Sequence, residues 1–188
     1  MQIQLCAMLA LQDKMNTKVH PQWREQQFPW FRAIWTESAE LLDHYGWKWW
    51  KKQTPDIPQI QLELVDIWHF GMSIYLQSST DYEAIAATLA SQWDAPAQTG
   101  DFRAIIEALV AGTLATHSLP LPLFCAAMRE VNLSFDDLYR QYIGKNVLNF
   151  FRQDFGYQQG TYQKVWSGKE DNVHLAEILA SEDPSAAD

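Results

Sequence analysis

Apolar residues recur at helical spacing through most of the chain, and no stretch alternates apolar and polar as a half-buried strand would. Ile3–Met15 reads as an amphipathic helix with Leu5, Met8, Leu9 and Leu11 mostly to one side, followed by a turn-prone stretch to Pro21. Trp23–Tyr45 is helical in period, with Pro29 starting or bending a segment and Gly46 as its stop. Thr54–Pro58 reads as a loop, and Ile60–Gln77 as the next helix. Ser78–Asp81 offers turn and capping residues for Tyr82–Trp93, and Asp101–Ser118 and Leu123–Val131 follow as further helical segments. Ser134-Phe135-Asp136-Asp137 has the form of a capping box with Asp in the position usually held by Glu or Gln. The helix that it opens is expected to run to about Phe155, with Gly156 as its stop, and Asn172–Ala180 to form a last short helix capped by Asn172. The pattern predicts an all-α fold: one domain over 1–188, in which 79–133 supply scaffold helices able to form a smaller mobile subdomain, and 181–188 fray.

Two acidic pairs interrupt this pattern. Glu37 and Glu40 lie three residues apart on one predicted helix, Glu63 and Asp66 on the next, so each pair projects from one side of a turn. Ile34 and Leu41 flank Glu37 at i−3 and i+4, and Ile60 and Ile67 flank Glu63 in the same way, so both pairs border the stripe that should face the core. Converging carboxylates removed from water repel one another and must neutralise or find a cation. An all-oxygen set suits Mg²⁺ or Mn²⁺ better than zinc, and Mg²⁺ usually shares its ligands with substrate phosphates. Phosphoryl chemistry on a nucleotide is the expectation, against ordinary surface acids on amphipathic helices.

Composition narrows the field. Hydrophobic and charged residues make up 47% and 20% of the chain, the proportions of a globular protein. The formal net charge of −9 argues against nucleic acid or an anionic membrane as partner, and requires metal ions wherever a polyanion meets the acids. Cys6 and Cys125 match no metal or redox spacing and read as small buried hydrophobes in a reducing compartment. No basic leader and no run of membrane-spanning length is present, so a cytoplasmic location is the default expectation.

Other segments carry weaker signals. Gln12 and Asn16 stand one turn apart and offer donors and acceptors, as would a plain polar face ending in an Asn cap. Trp47-Lys48-Trp49-Trp50-Lys51-Lys52 joins the acidic helices and suits either stacking on a base or packing. His69, one turn beyond Asp66, fits a metal ligand, a base contact or a satisfied core histidine. Lys145, Asn149 and Arg152 form one stripe of donors, followed by a glycine-containing loop, Tyr157–Lys164, that could close over a ligand.

Taken together, Glu37–Lys52, Glu63–Gly71 and Gly144–Tyr157 continuing to Lys164-Val-Trp and Glu170-Asp-Asn172 resemble the dimeric, all-α dUTPases, relatives of the MazG-type nucleotide pyrophosphohydrolases. The resemblance implies a helical bundle of the all-α NTP pyrophosphohydrolase type with its acidic metal site between core helices. It implies hydrolysis of dUTP, and of dUDP, to dUMP by a homodimer. Glu37, Glu40, Glu63 and Asp66 would then bind two or three Mg²⁺ ions that bridge the phosphates and activate a water, with Glu37 or Glu40 orienting or deprotonating it. Gln12, Asn16, Trp49, His69 and Asn149 would contact base and sugar, and Lys145, Arg152, Tyr157 and Lys164 the phosphate tail. A pyrophosphohydrolase with dCTP or broader dNTP preference, and a non-catalytic helical protein whose acids bind a basic partner, are the alternatives.

Overall fold

The computed structural model describes residues 1–96 and 100–181. Among these, eight helices follow in chain order: α1 (Gln2–Val19), α2 (Trp30–Tyr45), α3 (Ile57–Ser78), α4 (Tyr82–Gln92), α5 (Phe102–Thr116), α6 (Leu121–Glu130), α7 (Phe135–Asp154) and α8 (Asp171–Ser181). The fold is all-α, as the sequence predicts. The one departure is a two-stranded antiparallel ribbon, β1 (Val165–Trp166) and β2 (Lys169–Glu170), with Val165 opposite Glu170. Ser167 and Gly168, both at positive φ, form its two-residue turn, which is the backbone shape that matches strand twist in a tight hairpin. The frayed tail expected at 181–188 lies, beyond Ser181, outside the described residues.

Three boundaries moved for definable reasons. The first helix continues four residues past Met15, because Asn16 faces inward and the chain needs no cap there; His20 closes the helix on the Asn16 carbonyl. The segment before α2 forms turns from Pro21 to Gln27, and α2 itself starts at Trp30, directly after Pro29. The third helix starts at Ile57, ahead of Ile60: Pro58 sits in its first turn, where no backbone N–H is needed, and Asp56 caps it by accepting from the Gln59 N–H at 3.3 Å. The capping box at Ser134 forms as predicted, with Asp137 as its reciprocal partner.

Helix α3 is apolar on nearly all sides and is the hub of the molecule. One buried cluster joins its Ile60, Leu64, Val65, Ile67, Trp68 and Met72 to Leu5 and Leu9 of α1, Ile34 and Leu41 of α2, and Leu138 and Tyr142 of α7. Helices within 79–133 feed the same cluster through Ile85, Leu89, Ile105, Leu109 and Phe124. Trp68 stacks on Phe124 at 5.4 Å and meets Trp93 edge-on. At its C-terminal end, α2 is held by Arg103 of α5, which donates from Nε to the Gly46 carbonyl at 2.9 Å and lies over the Tyr45 ring. Gly46 is required there, since its φ is +91° and a Cβ would lie 2.7 Å from Gln53 Cβ. No helix among the described residues is long and apolar enough to cross a membrane.

This packing sets up a contrast between two tryptophans. Trp68 is fully buried, whereas Trp49 is 90% exposed. Trp68→Ala should cost about 3–5 kcal/mol in urea unfolding, and Trp49→Ala within about 0.5 kcal/mol of zero. Equal effects would mean that the core is not organised around α3.

Candidate active site

The packing of α2 on α3 brings the two acidic pairs face to face. Glu37, Glu63 and Asp66 each offer an oxygen within 4.8 Å of the others, and Glu63 is buried. Glu40, the fourth predicted ligand, is exposed at the rim of the same cleft, outside that tight group. Burial, followed by the charges of Asp66, Glu63 and Glu40, raises the Glu37 carboxyl well above the usual carboxylate range. Burial and Asp66 likewise raise Glu63, against the pull of Lys145. Hydrogen bonding between Glu37 and Glu63 raises Glu37 further and favours its protonated form when no cation is near. Lys145 on α7 is itself buried and pairs with Asp66 at 2.7 Å. His44, one turn beyond Glu40, approaches Glu63 at 3.7 Å.

These groups have the character of a hard-cation site: hard oxygens only, desolvated, mutually repelling, and partly satisfied by a lysine and a shared proton. Glu37, Glu63 and Asp66 would hold a divalent ion directly, and Glu40 stands close enough to the cleft to complete the set.

Beside the acids, a cleft of about 320 Å³ runs between α1, α2, α3 and α7, lined among others by Gln12, Asn16, Trp30, His69, Phe70 and Asn149. Its far wall is a closed amide network. Gln12 Nε2 donates to Asn16 Oδ1 (2.9 Å) and to Ser73 Oγ (3.2 Å), and Asn16 Nδ2 donates to Ser73 Oγ (3.0 Å). Ser73 passes its own proton to the His69 carbonyl. His69 Nδ1–H donates to Gln12 Oε1 at 2.7 Å, and the Tyr142 hydroxyl lies 3.1 Å from the same oxygen and 3.0 Å from the Met8 carbonyl. Burial pushes the His69 imidazole down to about 4, so the ring is neutral at physiological pH and its Nε2 is a bare acceptor, unpartnered among the described residues. The polar-face reading of Gln12 and Asn16 is thereby replaced, since both are buried.

The residues expected on the phosphate side fall at the other end. Lys145 and Arg152 reach the acid cleft from α7, with Tyr157 and Lys164 on its outer wall. Arg152 lies over the Tyr157 ring at 5.9 Å and donates to Asn149 Oδ1 at 3.3 Å. Lys164 pairs with Glu170 at 3.0 Å, which raises its pKa. Asn172 does not cap α8 as expected; its Oδ1 accepts from Lys145 (2.9 Å) and Arg152 (3.1 Å). Trp49 is the one predicted site residue that the chain does not bring to the cleft: it stands in solvent at the far end of α2, edge-on to Trp50.

Several residues with no signal of their own belong to this arrangement. Ser73 is four residues beyond His69 on α3, and that spacing could have marked it. Tyr142 and Asp171 could not have been found so, because each meets its partners only through the packing of distant helices.

A family model described as dUTPase matches residues 4–157. No curated protein gives a match. The matched region runs from the first turn of α1 through α7, and with it come the acid cluster, the amide wall and the cations of α7. With most of its length and all of these groups inside the match, the chain belongs to the all-α dUTPase family, the enzymes that hydrolyse dUTP.

Proposed function

We propose that the chain hydrolyses dUTP, and dUDP, to dUMP in the cleft between α2, α3 and α7, with Mg²⁺ (or Mn²⁺) held by Glu37, Glu63 and Asp66 and completed by Glu40. The observation that carries this reading is the juxtaposition of a charged, cation-demanding end with a neutral amide-lined end in one cleft. A triphosphate cannot enter beside three carboxylates of a protein with net charge −9 unless divalent cations offset the repulsion. When bound, such ions supply Lewis-acid stabilisation of charge on the phosphates and lower the pKa of water.

The protein's own groups then have separable roles. Glu37 and Glu40, one turn apart on α2 at the acid cleft, are the residues that would orient or accept a proton from the attacking water. Lys145 and Arg152 offset charge on the tail, with Tyr157 and Lys164 at its outer edge. At the base end, Gln12 spends both Nε2 protons and its Oε1 inside the wall. Asn16 keeps one N–H and one lone pair unspent, and an amide so fixed offers one donor and one acceptor to a base edge. A uracil edge, with a carbonyl beside an N–H, matches that pair, whereas the cytosine edge has the opposite polarity. His69 and Asn149 line the space between base and phosphates.

The homodimer implied by the resemblance would give Trp47, Trp49 and Trp50, all exposed, an apolar environment, and Trp49 a route to a base pocket that its own chain does not give it. A single domain acting on a nucleotide in the cytoplasm, without nucleic acid, agrees with the net charge and the two free thiols.

The deciding experiment is hydrolysis of dUTP, dCTP, dTTP and UTP with Mg²⁺ and with EDTA. EDTA-sensitive preference for dUTP supports the reading, and equal turnover of all four would remove the uracil pocket. Mutating partners behind a metal ligand typically costs about 10–100-fold, so Glu63→Gln should lower kcat/KM by at least about 100-fold. Asn16→Ala should narrow the dUTP-to-dCTP ratio of kcat/KM by at least about tenfold, the worth of one lost buried hydrogen bond.

Stability supplies a second check. The folded-state pKa values of Glu37 and Glu63 lie above their unfolded values, so their unfavourable contribution is absent at low pH and grows as pH rises through the folded pKa. Mg²⁺ should therefore raise Tm more at about pH 8 than at about pH 5. An equal rise at both would count against the acid cluster as the ion's site.

A further inference from the structure

The matched family region ends at residue 157, yet the segment beyond it closes one wall of the cleft. After Gly156 the chain runs through the ribbon β1–β2, which the Asp171 N–H closes by donating to the Lys164 carbonyl at 2.9 Å, and returns to α7. Helix α8 then docks on α7 through Leu175, which joins Leu62 and Leu148 in a second apolar cluster. Gly144 allows the approach: a Cβ there would lie 3.1 Å from Leu175 and 3.3 Å from Leu179. The first residue of α8, Asp171, is thereby buried against Arg152.

The contact is a bidentate fork. Arg152 Nε donates to Asp171 Oδ2 at 2.8 Å, and Nη2 donates to Oδ1 at 2.7 Å. The Tyr162 hydroxyl donates to the same Oδ2 at 2.8 Å. Burial alone would raise the Asp171 carboxyl, but the Arg152 and Tyr162 hydrogen bonds outweigh it and hold it below the usual range, so it is an anion at neutral pH. The second Nη2 proton goes to Asn172, and one Nη1 proton to Asn149. Four of the five guanidinium protons are thus spoken for. The fifth, on Nη1, has no acceptor among the described residues, and Arg152 lines both the acid cleft and the adjoining base cleft.

We propose that Asp171 is a positioning residue for dUTP hydrolysis: it fixes the Arg152 guanidinium in a single orientation, with one Nη1 proton and its charge directed at the substrate's phosphate tail. This rests on the reading of the cleft as a dUTP site. An arginine free to rotate loses side-chain freedom whenever it engages a phosphate, and an arginine already forked onto a buried carboxylate has lost it on folding. Tyr162 and Asn172 serve the same end, Tyr162 by holding the carboxylate and Asn172 by joining Arg152 to Lys145. The phosphate-binding cations therefore come from the matched helix, and their orientation from the segment after it.

The test compares calorimetric binding of deoxyuridine and of a non-hydrolysable dUTP analogue to the full-length protein, wild type and Asp171→Asn, with kcat and KM for dUTP. Asp171→Asn keeps the shape and removes the charge. It should weaken the analogue at least about tenfold and raise KM correspondingly, while deoxyuridine binding changes less than about twofold. In an Arg152→Ala background the same substitution should add less than about twofold, because its effect runs through Arg152. Unchanged or tighter analogue binding, or equal loss for deoxyuridine and analogue, would overturn the positioning role. Tyr162→Phe removes one hydrogen bond from the same carboxylate and should shift the analogue in the same direction by a smaller factor, so the inference stays testable if Asp171→Asn does not fold. Wild-type protein run alongside keeps the two questions apart: no turnover of dUTP there overturns the reading of the cleft, and not the Asp171 contact alone.

Discussion

Like charges forced together out of water are the constraint around which this protein is built. Glu37, Glu63 and Asp66 converge because α2 and α3 share a core of Ile34, Leu41, Ile60 and Ile67, and the apolar packing that joins the helices gives the acids no escape. Desolvation and mutual repulsion raise the proton affinity of Glu37 and Glu63 together, and the protein offsets part of the cost with a shared proton and with the buried ammonium of Lys145. Such a site favours whatever positive charge it can recruit. The same electrostatic demand that would destabilise an isolated fold gives the cleft the character of a cation site.

The other end of the cleft obeys the opposite rule. Its wall is neutral, and apart from His69 Nε2 and the unspent half of the Asn16 amide its polar atoms satisfy one another: Gln12 is saturated by Asn16, Ser73 and His69, and His69 is kept uncharged by burial. A network of this kind turns one amide, that of Asn16, into a fixed donor–acceptor pair, because flipping it would break bonds to both Gln12 and Ser73. Charged groups dominate one end of the cleft and fixed hydrogen-bonding groups the other. Helix α7 spans the two, with Tyr142 behind the amide wall and Lys145 and Arg152 beside the acids.

The segment after α7 shows how a short irregular stretch can serve a site precisely placed elsewhere. A two-residue turn, Ser167-Gly168, reverses the chain; a glycine in α7 admits α8; and the first residue of that helix meets the arginine. None of these steps requires a large apolar surface. Leu148 and Leu175 of the small apolar cluster stand one helical turn from Arg152 and Asp171 on α7 and α8.

What the sequence by itself determined is what depends on neighbours a few residues apart. The periodicity that builds α2, α3 and α7, the capping box at Ser134, the glycine stops at Gly46 and Gly156, and the i,i+3 spacing of the acids are all local, and each appears in the fold. Spacing could place Glu37 and Glu63 on inward faces, but only the packing of α2 on α3 decided that Glu37, Glu63 and Asp66 meet while Glu40 stays at the rim. The meaning of the amides was likewise not local: Gln12 and Asn16 look like an ordinary polar face until α3 supplies Ser73 and His69 and α7 supplies Tyr142. Composition could not separate a stacking Trp49 from a packing one, and the chain leaves that side chain in solvent. Asp171 stands in the Glu170-Asp-Asn172 run with nothing local to show its role, since that role comes from a partner nineteen positions away that only the return of the chain through β1 and β2 brings within a hydrogen bond. Local spacing fixes which face a side chain takes, whereas its charge state and its partner depend on what is packed against that face.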